Sequence, residues 1–144
     1  MARRGRDGGD GSSSDTYAYF ALAGHFDPNE VTDLLRIEPT AVALTGDPVR
    51  EGASLTHKLD FWRLESPLSI AMDPVAHIEA VIDQLRPATA SLRDLSEMHE
   101  AGMFVAIYLR SAQGPFARLG PPVLNWLVSV NAFLDLDVYA MPDD

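Results

Sequence analysis

The sequence contains no cysteine and little positive charge, and both shortages restrict what the protein can do. Without cysteine among its 144 residues, disulfide bonds, thiolate nucleophiles and cysteine-ligated zinc are excluded. Eleven basic residues stand against 21 acidic ones, and the resulting net charge of −10 disfavours binding to a nucleic-acid phosphate backbone. No apolar run approaches the roughly 18 residues of a membrane-spanning helix, so we expect a cytoplasmic protein without a membrane partner.

The length and the composition predict one folded domain behind a polar tail. Residues 1–15 are rich in glycine, serine and charged side chains and cannot bury enough apolar surface to offset their ordering entropy. We therefore predict a disordered tail over 1–15 and a single domain over 16–144. The three arginines and three aspartates of the tail cancel, so the domain carries the whole net charge.

The clearest local signal is an aspartate followed by a proline at the start of an amphipathic segment. Asp27 can accept hydrogen bonds from the first free amides of a helix, and Pro28 lacks only a donor that this position does not need. Asp73 and Pro74 repeat the signal, and apolar residues recur at helical spacing after both pairs. The sequence therefore predicts a helix after each pair.

Five segments have the composition or the alternation of β-strands, namely residues 16–23, 41–44, 59–64, 103–109 and 132–140. Two further helices are predicted, one before Gly102 and one after Pro121, which gives the order β-α-(β)-β-α-α-β-α-β. This order predicts an α+β fold with a mixed or antiparallel sheet of four to five strands and helices mainly on one face. Ferredoxin-like halves are an alternative arrangement. The apolar run 103–109 is typical of a strand buried on both faces.

Catalytic and metal-binding signatures are absent from the sequence. It contains no phosphate-binding loop, no nucleophile elbow, no zinc-protease motif and no dinucleotide fingerprint. The four histidines do not form a dense ligand pair, so we interpret them as structural or surface residues and expect no metal and no cofactor. They are His25, His57, His77 and His99.

The last predicted strand separates apolar from acidic side chains. Leu134, Leu136 and Val138 alternate toward one face, which we assign to the core. Asp135, Asp137 and Tyr139 share the opposite face with Phe133. Tyr17 and Tyr19 share one face of the first strand and would join this group if the two strands are adjacent. Three interpretations remain open: a solvated sheet face, a binding face for a cationic partner or polar ligand, and a pair of acid–base carboxylates.

Two further features extend the candidate site. Trp126 lies in a short apolar helix and is assigned to the core. Trp62, in a strand with Asp60 and Arg63 on either side, is assigned partly to the core and partly to the surface. The loop over residues 45–56 is either a recognition element or a plain connection. The candidate binding face therefore consists of Tyr17, Tyr19, Trp62, Asp135, Asp137 and Tyr139.

The order and spacing of these landmarks resemble one protein family. The fragments GHFDPNEVTDLLRIEPT, FWRLES, AHIEAVIDQLRP and DLDVY, together with Gly46, are similar to the bacterial family named domain of unknown function 4279. The matching positions are Gly24, Asp27, Pro28, Pro39, Gly46, Trp62, His77, Leu85, Pro87, Asp137 and Tyr139. The resemblance spans residues 16–140 and implies a small α+β domain, with some members associated with toxin–immunity gene clusters. It implies no catalytic residue.

These observations favour binding over catalysis. Our first hypothesis is an acidic, immunity-type inhibitor of a cationic toxin, because an acidic surface accelerates association with a basic protein. The alternative is a small-molecule sensor or enzyme with a pocket near Trp62, Asp137 and Tyr139. A structural domain that acts through self-association also fits the sequence.

Overall fold

A computed structural model describes residues 14–111 and 117–141 and shows nine helices and strands in those ranges. The strands are β1 (Ser14–Gly24), β2 (Ala41–Ala43), β3 (Asp60–Glu65), β4 (Glu100–Leu109) and β5 (Phe133–Ala140). The helices are α1 (Pro28–Leu35), α2 (Pro74–Leu85), α3 (Thr89–Ser96) and α4 (Pro121–Ser129), and a 3-10 turn (Arg86–Ala88) joins α2 to α3. The order of strands and helices along the chain confirms the predicted order β-α-(β)-β-α-α-β-α-β. In these ranges, no helix is both long and apolar enough to cross a membrane.

The aspartate–proline pairs form helix caps as predicted. The Asp27 carboxylate accepts a hydrogen bond of 2.9 Å from the Asn29 amide, and the Asp73 carboxylate accepts one of 2.9 Å from the Ala76 amide. Helix α1 ends earlier than Pro39 would require, because Arg36 adopts the left-handed conformation with a φ of 59°. These caps define where α1 and α2 begin.

The sheet is mixed, with the strand order β2-β3-β1-β4-β5. β1 pairs antiparallel with β3 and β4, whereas β5 pairs parallel with β4. The first strand–helix–strand unit, β1-α1-β2, is split, because β1 and β2 both run antiparallel to β3, which lies between them. In the last unit β4 and β5 are parallel neighbours. A ferredoxin-like fold has two such split units, so the first half of the chain matches that alternative and the last half does not. β1 begins at Ser14, two residues before the predicted boundary, and the rest of the predicted tail lies outside the described residues.

One face of the sheet forms the core with the helices. The inward side chains of β1, β3 and β4 alternate with outward ones, and the largest fully buried residues include Phe20, Trp62 and Met103. Trp62 has no exposed surface, and its indole nitrogen donates a hydrogen bond of 3.1 Å to the Thr32 hydroxyl of α1. Its assignment to the candidate surface is therefore wrong. Trp126 is buried as predicted, with its indole donating to Thr89 at 3.2 Å.

Strand β4 differs from its prediction in two respects. Gly102 lies inside the strand rather than at the end of a helix, and the Phe133 ring of β5 occupies the space that a side chain at position 102 would need. The strand is also not buried on both faces, because Phe104 and Tyr108 point away from the helices and are partly exposed. Its continuous apolar run therefore supplies a core on one side and an aromatic surface on the other.

Strand β5 is an edge strand whose apolar face is only partly covered. Leu134 packs against the core, but Leu136 and Val138 are 50% and 58% exposed. The assignment of all three residues to the core is therefore wrong for the last two. Leu136 and Val138 lie farther along the strand than the part that packs against the core. The alternation of residues along a strand does not show how far the helices cover that strand.

Candidate functional site

The face of the sheet that carries no helix is the candidate site, and we name it the open face. Its side chains come from the outward positions of β1, β3, β4 and β5. They include Tyr17, Tyr19, Phe61, Arg63, Phe104, Ala106, Tyr108, Phe133, Asp135, Asp137 and Tyr139. This surface combines aromatic rings with two carboxylates near the edge of the sheet.

A first row of aromatic rings crosses three strands. Tyr17 of β1 meets Tyr108 of β4 edge to face, with 5.8 Å between the ring centroids. Tyr108 stacks on Tyr139 of β5 at 5.0 Å. Both separations are within the range in which aromatic pairs attract each other. The prediction required β1 and β5 to be adjacent, but β4 lies between them. Tyr108 of β4 nevertheless connects the tyrosines of the two outer strands.

A second row runs parallel to the first and begins with a cation. The Arg63 guanidinium lies 4.3 Å above the Tyr19 ring and 3.6 Å from the Glu65 carboxylate. Tyr19 stacks on Phe104 at 5.0 Å, and Phe104 meets Phe133 edge to face at 5.3 Å. Arg63 shows that this surface accepts a guanidinium over an aromatic ring beside a carboxylate.

Ala106 separates the two rows and forms a low floor between them. In the sheet register it lies opposite Tyr17 on one side and Asp137 on the other, while Asp135 lies opposite Phe104. Successive residues on one face of a strand are about 7 Å apart, so we expect the small Ala106 side chain to leave a depression between the rows. The geometry places both carboxylates along the β5 side of that depression.

Within the described residues, neither carboxylate is neutralised by a cation. Among the residues that the structure describes, the side-chain carboxylates of Asp135 and Asp137 have no hydrogen bond and no ion pair. The negative charge of Asp137, with smaller contributions from burial, Tyr108 and Asp135, raises the pKa of the Tyr139 phenol. The open face is therefore anionic along β5, with charge available to an external group.

The structure brings together five of the six predicted site residues. Tyr17, Tyr19, Asp135, Asp137 and Tyr139 share the open face, whereas Trp62 lies on the opposite side of the sheet. The central residues Phe104, Ala106 and Tyr108 were missed. The sequence does contain a signal for these three residues. They alternate along β4 with the core residues at 103, 105 and 107, and two of the three are aromatic.

A cavity of about 330 Å³ opens on the same face beside the second row. Its floor is formed by Ala21 and Ala23 and its walls include Phe61, Phe104 and Phe133. A pocket shared by Trp62, Asp137 and Tyr139 is excluded, because Trp62 faces the helices. The location given to the small-molecule alternative is therefore wrong.

The loop over residues 45–56 is held by hydrogen bonds. Gly46 and Gly52 adopt positive φ angles of 96° and 78°, and the chain returns on itself to an isolated bridge between Pro48 and Thr56. The Asp60 carboxylate accepts hydrogen bonds from the Thr45 amide at 2.7 Å and from the Phe26 amide at 2.9 Å. These bonds lower the pKa of Asp60, and its carboxylate anchors two loops at one end of β3.

We expect replacement of Asp60 by asparagine to destabilise the protein at neutral pH and to have little effect in strong acid. A carboxyl group whose folded-state pKa is lowered stabilises the fold above its ordinary value of 3.8, and this contribution is lost as the pH falls through the folded-state value. Urea unfolding of both proteins between pH 7 and pH 2.5 would measure the difference. Asp33→Asn, at an exposed position of α1, is the control. A difference that stays constant with pH would contradict the anchoring role of the charge.

The histidines do not form a site. His77 is buried beside the sheet with its Nδ1 2.6 Å from the Ser66 hydroxyl, and burial lowers the pKa of its imidazole. His57 contacts Phe61 and His99 contacts Phe26 through their rings. Within 14–111 and 117–141, no group of three or more potential metal ligands is present.

The fold and its open face define a small α+β domain with a mixed five-stranded sheet, helices on one side and an aromatic, acidic surface on the other. The model of the family described as Domain of unknown function (DUF4279) matches residues 14–141, so the chain belongs to that family. The match covers every strand and helix described above. No curated protein and no solved structure is significantly similar to the chain.

Proposed function

We propose that the protein is a binding module that recognises a cationic protein through its open face. The observation that carries this proposal is the pair of aromatic rows flanking Ala106, with the unpaired carboxylates of Asp135 and Asp137 beside them. A lysine or arginine side chain in that depression would meet aromatic rings and carboxylates together. This combination is how proteins bind organic cations.

The charge of the whole chain supports the same class of partner. A net charge of −10 accelerates encounter with a basic protein and repels nucleic acid. Four tyrosines on one uncovered face are also typical of recognition surfaces, because aromatic residues with a polar end are enriched at interfaces. An immunity-type inhibitor of a basic toxin is the specific form of this proposal.

Neutralising both carboxylates should weaken binding to a cationic probe about tenfold, because two close charge pairs of roughly 0.7 kcal/mol each are lost. The probe is an acetylated, amidated octalysine peptide, titrated calorimetrically into the full chain at low and at physiological salt. The test variant is Asp135→Asn/Asp137→Asn. The matched control is Asp33→Asn/Glu79→Gln, which removes the same charge from exposed positions of α1 and α2.

The proposal predicts that the control changes the affinity less than twofold. Equal weakening by the two double variants would show that octalysine senses only the net charge, and the proposed site would be wrong. The toxin-inhibitor form is tested separately, with a basic nuclease encoded next to this gene as the partner. In that assay the wild-type chain should inhibit the nuclease and Asp135→Asn/Asp137→Asn should inhibit it less.

A further inference from the structure

We infer that the partner binds as an added β-strand along β5, through an extended segment in which basic and apolar residues alternate. This inference rests on the proposed function and specifies the form of the cationic partner. It draws on three properties that β5 has within 14–111 and 117–141: a free backbone edge, uncovered apolar side chains on one face and unpaired carboxylates on the other.

The backbone edge of β5 is available along the strand. β5 is the last strand of the sheet, and among the described residues it pairs only with β4. The Met141 amide donates to the Leu109 carbonyl of β4 at 2.8 Å. Since backbone groups alternate in direction along a strand, the amides and carbonyls of Leu136 and Val138 point away from β4. These groups can pair with an incoming strand, as in other sheet-edge complexes.

The two faces of β5 determine which residues such a strand would carry. On the open face, Asp135 and Asp137 favour lysine or arginine at alternate positions of the added strand, because opposite charges on neighbouring strands stabilise a sheet. On the other face Leu136 and Val138 are half-exposed, and apolar side chains at the intervening positions would cover them. The matching segment therefore alternates one basic residue with one apolar residue.

A second copy of this chain fits the same edge less well than a basic segment does, because it brings no cation to Asp135 and Asp137. Residues directly opposite each other in an antiparallel pair lie on the same face. A register centred on Val138 places Asp137 opposite Tyr139 of the other copy, but the registers centred on residues 135 to 137 place an aspartate opposite an aspartate. Like charges in that position are destabilising. Charged residues on edge strands generally prevent self-association, and here they select a partner of opposite charge.

The test compares peptides that carry equal charge but differ in strand pattern. An acetylated, amidated octapeptide alternating lysine and valine should bind the full chain at least tenfold more tightly than a peptide with its four lysines and four valines in separate blocks. Two N-methylated versions of the alternating peptide, one methylated at the valine amides and one at the lysine amides, block opposite edges of the added strand. One of them should lose binding at least tenfold while the other keeps it.

Amide hydrogen exchange locates the contact. The amides of Leu136 and Val138 should exchange at least tenfold more slowly in the complex, whereas those of Asp135 and Asp137, which face β4, should change little. Equal affinity of all four peptides, with unchanged exchange at Leu136 and Val138, would overturn strand addition. If strand addition were overturned in this way but Asp135→Asn/Asp137→Asn still weakened binding of the peptides, the open face would remain the proposed cation-binding surface.

Discussion

Replacing Trp62 with alanine should lower the free energy of unfolding by about 3–5 kcal/mol, the usual cost of removing a buried aromatic residue. The Trp62 ring has no exposed surface and lies between the sheet and α1. Its removal leaves a cavity and deprives the Thr32 hydroxyl of the indole donor. Chemical unfolding in urea, followed by circular dichroism, measures the change.

Tyr139→Ala provides the contrast, because the sequence placed both residues in one candidate face. Tyr139 is 47% exposed and lies on the edge strand, so its loss should cost much less, on the order of 1 kcal/mol. Conversely, Tyr139→Ala should weaken octalysine binding. A cost below about 1 kcal/mol for Trp62→Ala would show that this ring does not belong to the core.

Replacing Gly102 with valine should cost about 1–3 kcal/mol, as overpacking of a closely packed position does. A side chain at this position overlaps the Phe133 ring, which lies directly over the glycine. Phe133 would have to move away, and its edge-to-face contact with Phe104 would be lost. The second aromatic row would then end at Phe104.

The Phe133→Ala background tests the cause of that penalty. Without the ring, the three atoms that lie nearest to a side chain at position 102 are gone, and valine also favours the extended backbone of a strand. The unfolding free energy of Gly102→Val/Phe133→Ala should therefore lie close to that of Phe133→Ala alone. Additive losses in the double variant would mean that the glycine is required for another reason.

The local chemistry of the chain predicted the order of the elements and the helix starts. Asp27 and Asp73 cap their helices because capping depends on a few neighbouring residues. The sequence also separated Asp135 and Asp137 from the apolar residues of β5 correctly, since strand alternation is a local property.

The remaining features depend on pairing between distant segments. The tyrosines of β1 are connected to Tyr139 only because β4 lies between β1 and β5 in the sheet. That strand order cannot be predicted from a local pattern. Trp62 and Phe61 both lie in an alternating segment, and only the position of α1 decides which of them is buried. The sequence predicted that Gly102 ends a helix. The position requires glycine because the Phe133 ring packs over it, and that ring lies 31 positions later in the chain, where no local pattern could show the contact.

The distribution of chromophores gives the protein two independent optical signals. All four tyrosines lie on the open face, and both tryptophans are buried among the helices. Near-ultraviolet absorbance of the phenols should therefore respond to an occupant of the sheet, while indole emission should follow unfolding. A titration that changes the first signal and leaves the second constant would record recognition without any change in the interior.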